Sequence, residues 1–301
     1  MKENNLYYIE KEHVGITLGD YLKKKLLLSR RSLIKIKKAG SVKVNGSLEY
    51  MDYRLKEGDK LEFSIEEENS ENILPEFMEL DIIYEDDYMA VVNKNAGIPT
   101  HPSRNHYMGT LANGLMYYWM EAGRDITIRP VNRLDRNTSG LVVFAKSSHI
   151  QHLMSLHNYK SKMKKEYLAL VQGIVKNDSG TVEAPIAREV QQSIRRVVRE
   201  DGDRAVTHYE VLQRFQDYTL LKLILETGRT HQIRVHMAYI GHPILGDDLY
   251  GGSQDKIKRH ALHAFILSMP HPMDGRPFEF TAPVPEDMGE LIKNSTVCFS
   301  E

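Results

Sequence analysis

Apolar residues in the first sixty-five positions change period, from helical to alternating. Leu18, Leu22 and Leu26 recur at helical spacing behind Thr17, a residue suited to an N-cap, with Asp20 three positions on. Ser29 is suited to cap a second helix carrying Leu33, Ile34 and Ile36, and Gly40 stops it. Alternation then takes over. Val42 and Val44 flank Lys43 and lead into Asn45-Gly46, a strong hairpin signal, and Gly58-Asp59 precedes a strand through Leu61, Phe63 and Ile65.

Further along, residues 80–94 read as strand, turn, strand, two apolar runs split by Glu85-Asp86-Asp87. Asn95 to Pro102 reads as a loop, because Gly97, Pro99 and Pro102 prevent regular structure. Residues 129–146 end in the strand-like run Leu141-Val142-Val143-Phe144-Ala145, and the basic stretch from Lys160 merges into an alternating strand reaching Gly173. Gly228 ends another strand, and Thr230 is suited to cap a helix carrying Arg234. The strand-rich pattern predicts an α+β fold: a mixed, largely antiparallel sheet with peripheral helices and a cleft, preceded by a small domain.

Composition narrows the class. With 301 residues, 41% of them hydrophobic and 27% charged, the chain can bury a sizeable core. Its only cysteine, Cys298, excludes a disulfide framework and a CxxC metal site and favours an intracellular protein. Met1-Lys2-Glu3-Asn4-Asn5 opens no apolar stretch of signal-peptide length, and no run of about 18 apolar residues exists to span a bilayer. A cytoplasmic protein without a membrane partner is expected; no oligomerisation signal is readable.

Charge is unevenly spread. The net value is -1, yet residues 15–65 hold twelve Lys or Arg against six Asp or Glu. Residues 66–72 reverse the sign, and this acidic stretch reads as a linker. The expected division is a basic unit at 14–65, a linker at 66–76 and a larger domain at 77–295. Clustered cations of this kind suit a polyanion.

Candidate chemistry concentrates at Asp135, one carboxylate flanked by Arg129, Arg133 and Arg136. Among cations it is expected to be ionised and held in place, a nucleophile or base rather than a proton donor. The run from Arg129 to Lys146 resembles the catalytic motif of RluA-type RNA pseudouridine synthases, in which the Asp of Arg-Leu-Asp attacks the target uridine. Asn132 stands where that family usually has His. Lys94-Asn95-Ala96-Gly97 is similar to the family's first motif, with Asn95 in place of proline, a change that removes a fixed backbone angle from the loop. Tyr167 matches the tyrosine that stacks on the flipped base, and Arg234 resembles the arginine paired with the catalytic Asp, Arg229 being the second choice. Arg133 resembles the residue that enters the RNA helix as the target leaves.

Residues 14–65 in turn resemble the S4 RNA-binding domain, chiefly through Ser29 to Lys35 and Gly40 to Gly46. The four resemblances together cover roughly residues 14–283 and imply a pseudouridine synthase fold and activity without a cofactor. Expected catalytic residues are Asp135, Arg234 and Tyr167; expected RNA contacts are Arg133, Asn132, Lys94, Lys165, Arg229, His231, Arg30, Arg31, Lys35 and Lys38. The S4-like unit favours ribosomal RNA of the large subunit, with transfer RNA as the alternative.

Two other classes remain open. Asn132 and Asn95 suit a noncatalytic RNA-binding protein with a synthase-like domain, and a hydrolytic glycosidase normally needs a second carboxylate that the Asp135 motif lacks. A metal site is disfavoured: His231 and His236 are five apart, on different sides of a helix, and no HExxH is present, although His242, His260, His263 and His271 follow closely. His101, in the proline-bearing loop, reads as a structural hydrogen-bonder.

Overall fold

In the computed structural model, residues 2–66, 73–103, 107–124 and 126–294 are described. A four-stranded sheet, in the order β1-β4-β2-β3, forms from β1 (Lys2–Tyr8), β2 (Lys43–Val44), β3 (Ser47–Leu48) and β4 (Lys60–Glu66). Thr17 and Ser29 cap as expected, their side chains accepting from Asp20 N and Ser32 N. Asn45 and Gly46 both take positive φ, 52° and 84°, as a tight hairpin between β2 and β3 requires. The first helix departs from expectation. After α1 (Leu18–Asp20) it widens into a π-helical turn over Tyr21–Lys25, where Leu26 N bonds to Tyr21 O, and Leu26 is only partly buried. In α2 (Arg30–Ala39) Ile36 is buried, whereas Ile34 faces solvent, and Gly40 ends the helix at φ 55°. The unexpected element is β1, paired with β4 along its whole length and joined to it by stacking of Tyr7 on Phe63.

The expected linker changes too. Glu66 belongs to β4, residues 67–72 lie outside the described set, and Ile73 is already buried in the large core. Glu76 N bonds to Asn113 O and Asn113 donates to Leu74 O, so residues 73–76 are built into the larger unit.

The larger sheet has ten strands: β5 (Asp81–Glu85), β6 (Met89–Lys94), β7 (Arg129–Pro130), β8 (Ser139–Ala145), β9 (Lys164–Gln172), β10 (Ser179–Glu183), β13 (Val206–Arg214), β14 (Tyr218–Leu225), β15 (Leu262–Pro270) and β16 (Pro277–Thr281). A separate hairpin pairs β11 (Ile186–Arg188) with β12 (Arg196–Val198). The main order is β10-β13-β14-β9-β15-β8-β6-β5; β8 and β15 run parallel and the other pairs antiparallel, as the α+β reading expects. Helices α3 (Leu111–Glu121), α4 (Ser148–Ser155), α5 (His157–Lys160), α6 (Gln232–Tyr239) and α7 (Glu286–Asn294) complete the chain.

Strand β8 is buried throughout and apolar from Leu141 to Ala145 because both sides are covered. Val142 and Phe144 join the core around Trp119, while Leu141, Val143 and Ala145 pack with Ile150 and Met154. Where β8 meets β15, the chains approach so closely that a Cβ on Gly140 would lie 2.2 Å from Ala264 O; glycine is required there. This junction opens directly onto the Asp135 loop, which connects β7 to β8.

Candidate active site

The Asp135 loop is tied down from several directions. Thr100 Oγ1 donates to Leu134 O, Thr138 N bonds to Asp135 O, and Thr138 Oγ1 pairs with His260 Nε2 at 2.8 Å. Lys94 corrects an expectation: it is 0% exposed and cannot meet RNA, and its ammonium instead donates to the carbonyls of Asn95, Ile98 and Arg136. Burial pushes its pKa down to about 7, partly opposed by the Asp135 charge. Three acceptors match the three protons of an ammonium, and they fasten the loop in which Asn95 replaces proline to the loop carrying Asp135. Asn132 is corrected likewise. Its amide donates to Leu141 O at 3.1 Å and accepts from Val143 N at 2.8 Å, so its polar atoms bind strand backbone rather than RNA.

The cations neighbouring Asp135 in sequence do not hold it. Arg136 donates to Gly97 O, Arg133 is exposed at the cavity wall, and among the described residues the charged partner of Asp135 is Arg234, with the His231 ring nearby. Arg234 Nη1 donates to Asp135 Oδ2 at 3.0 Å. The same guanidinium grips Asp247 at two points, 2.7 and 2.8 Å, and lies 5.0 Å from the centre of the Tyr250 ring. Burial works against the Arg234 charge, but the Asp247 and Asp135 carboxylates outweigh it and its pKa is raised. Arg229, the second choice, reaches Arg204 O and Asp203 instead.

Helix α6 delivers Arg234, though not from a Thr230 cap. His231 occupies the N-cap at φ 58° without a capping bond from its side chain. Gln232 closes the turn from inside, accepting from Thr227 Oγ1 and Arg229 N and donating to Val206 O. The unusual backbone brings His231 Nε2 to 3.6 Å from Asp135 Oδ2, while Nδ1 meets the Tyr250 hydroxyl at 2.8 Å. Burial lowers the His231 pKa, with Asp135 opposing and Arg234 reinforcing. The imidazole is therefore neutral at pH 7.

Tyr167 enters from β9 and lines the same cavity as Asp135. Burial pushes its phenol pKa up, and the Asp135 charge adds to this. Lys165, beside it, is half-buried; desolvation and the charge of Lys160 lower its pKa. The cavity measures about 1310 Å³ and is bounded by His101, Arg133, Tyr167, Arg229, Ile194 and Lys258 among others. That exceeds the roughly 300–1,000 Å³ of small-molecule pockets and suits a segment of polymer.

Five further histidines weighed in the sequence have the following partners. His236 bonds Thr207 Oγ1 and Ala184 O, His242 meets Gln172 O, and His271 lies between Asp86 and Asp274. His263 pairs with Ser139 and His101 with Pro102 O. Of the cations expected to meet RNA in the N-terminal unit, Arg30, Arg31 and Lys38 are exposed on α2 and Lys35 is half-buried. Sequence reasoning gave no role to Asp247 or Tyr250; their signal was the turn Gly246-Asp247-Asp248-Leu249-Tyr250-Gly251.

Residues 88–239 match the family model described as RNA pseudouridylate synthase. The chain is 44% identical over 268 residues to the Bacillus subtilis protein described as an uncharacterized RNA pseudouridine synthase, YjbO, covering 88% of this chain and 95% of that one. It is 39% identical over 249 residues to ribosomal large subunit pseudouridine synthase D of Haemophilus influenzae, covering 78% and 76%. Among solved structures, human RNA pseudouridylate synthase domain containing 1 superposes with a TM-score of 0.58 at 27% identity, over 68% of this chain and 83% of that one.

Proposed function

Because the chain belongs to the RluA-type RNA pseudouridine synthases, isomerases that act on RNA, we propose that it converts uridines of large-subunit ribosomal RNA to pseudouridine, with Asp135 as the reacting group. The observation that carries this reading is the Asp135–Arg234 contact of 3.0 Å at a cavity wall shared with Tyr167. The reaction breaks the N1–C1′ bond and rejoins the same uracil through C5. It needs a carboxylate at the sugar and a pocket that retains the free base.

Asp135 either attacks C1′ or removes a proton from C2′ as the base departs. Arg234 fixes its rotamer through the 3.0 Å contact. Tyr167 stacks on the flipped uracil; such stacking is worth about 1–3 kcal/mol per base, comparable with the few kcal/mol needed for unstacking. Arg133 fills the space the base vacates, and Lys165, Arg229 and His231 face the RNA strand around it. The walls exclude water, so that the detached uracil rebonds rather than escapes. Arg30, Arg31, Lys35 and Lys38 of the S4-like unit dock the RNA backbone. Among the described residues no helix is long and apolar enough to cross a membrane, which supports a cytoplasmic location.

Tritium release from RNA containing C5-tritiated uridine tests the activity, with Asp135→Asn as the inactive control. Free uracil without pseudouridine would indicate hydrolysis, and absence of release on any cellular RNA would indicate a binding protein. Mapping pseudouridines in cells lacking the gene tests the substrate. Loss of large-subunit ribosomal sites is expected; an intact ribosomal pattern with a lost transfer RNA site would overturn it.

A further inference from the structure

Asp247 is 1% exposed and forms no part of the cavity wall, yet it holds Arg234 more closely than Asp135 does. Arg234 Nε donates to its Oδ2 at 2.7 Å and Nη2 to its Oδ1 at 2.8 Å, so two of the three guanidinium nitrogens are fixed and the third, Nη1, is aimed at Asp135. The turn bearing Asp247 is built for close approach. Gly246 takes φ 77°, and a Cβ there would lie 2.0 Å from Arg259 O; one on Gly252 would lie 1.8 Å from Ile244 O.

Resting on the role proposed for Asp135, the charge count gives this arrangement a purpose. Attack on C1′ forms a C1′–O bond while the C1′–N1 electron pair leaves on uracil N1; removal of the C2′ proton turns the C2′–H pair into a C1′=C2′ bond, again sends the C1′–N1 pair out on uracil N1, and leaves Asp135 protonated. Either way the Asp135 anion is consumed. Were it the sole counter-ion of Arg234, the step would strand a buried guanidinium without an anion, a costly state. Asp247 and Arg234 instead form a neutral pair before, during and after the reaction, and the Asp135 side chain, 28% exposed, is free to change charge. We propose that Asp247 is a positioning residue, the permanent counter-ion that orients Arg234 and uncouples its charge from that of Asp135.

Asp247→Asn preserves shape and removes the charge. In the full chain, kcat for tritium release is expected to fall about 10–100-fold, the range for losing a supporting partner of a reacting site, with RNA affinity unchanged. Asp247→Glu retains the anion and should recover most of kcat, and it serves as the test if the Asn variant does not fold. Wild-type kcat in a folded Asn variant, or a folded Glu variant as inactive as Asp135→Asn, overturns the proposal. Activity surviving in Asp135→Asn would instead overturn the role of Asp135. An inactive Asp135→Asn beside a fully active Asp247→Asn would remove only that of Asp247.

Discussion

Asn132 stands three residues before Asp135, and its amide bridges Leu141 O and Val143 N on β8. Truncation would leave a buried carbonyl and a buried N–H without partners, at about 1–3 kcal/mol each. Asn132→Ala is therefore expected to lower the unfolding free energy by about 2–6 kcal/mol in urea while changing kcat little at low temperature; a large kcat loss at unchanged stability would show direct participation. Tyr167 is expected to behave oppositely. Tyr167→Phe keeps the stacking face and should retain most activity, whereas Tyr167→Ala loses about 1–3 kcal/mol of stacking, a factor of roughly 5–150 in single-turnover rate; equal activity in both variants would sink the stacking role. Asp135 stood out by its charged surroundings, whereas Tyr167 and Arg234 were legible only through the family resemblance; the structure brings all three into one cavity. Lys94 was not: the sequence marks a cation but not the three carbonyls that close around it. Nor does spacing distinguish buried Asp247 from its exposed neighbour Asp248, because only the fold decides which one meets Arg234.

At the level of elements, β6 and β8 could be read from their apolar runs, since strands covered on both faces advertise themselves by composition, whereas β9, read as alternating, is buried continuously from Tyr167 to Val171. Strand β1 could not, because Lys2-Glu3-Asn4-Asn5 has no alternation and the strand exists through backbone pairing with β4. The β8–β15 junction was equally hidden, as it joins residues more than a hundred positions apart. Two imidazoles staple it: His260 Nε2 to Thr138 and His263 Nδ1 to Ser139. Burial lowers their pKa values to about 2 and about 4. Below the ordinary histidine value near 6.5 the unfolded chain binds protons that these folded groups refuse, so stability declines as pH falls from about 6.5 towards 4. Carboxylates held low, such as Glu85 and Asp86, contribute their acid loss below that window, because they titrate from lower starting values. Urea midpoints measured between pH 7.5 and 5 on His260→Gln and His263→Gln are therefore expected to vary less with pH than those of the native chain. Identical slopes in all three would exclude these histidines as the source.

For the whole molecule, a net charge of -1 gives no general attraction to RNA, and affinity must come from where the cations are gathered. The excess of six in residues 15–65 includes Arg30, Arg31 and Lys38, exposed on one helix, and the expected effect of removing them follows from counterion release. Each phosphate contact contributes about 0.7–0.9 to the slope of log affinity against log salt. The triple variant Arg30→Gln, Arg31→Gln, Lys38→Gln should bind RNA more weakly at low salt and show a slope shallower by up to about 2–3. Lys35 is left in place because it is half-buried and its loss would confound binding with folding. Since these side chains lie outside the cavity wall, kcat at saturating RNA should match the native value, with the whole loss appearing in KM. An unchanged salt slope would mean that the basic helix does not carry the RNA, and a fall in kcat would mean that it helps to assemble the site rather than dock the substrate.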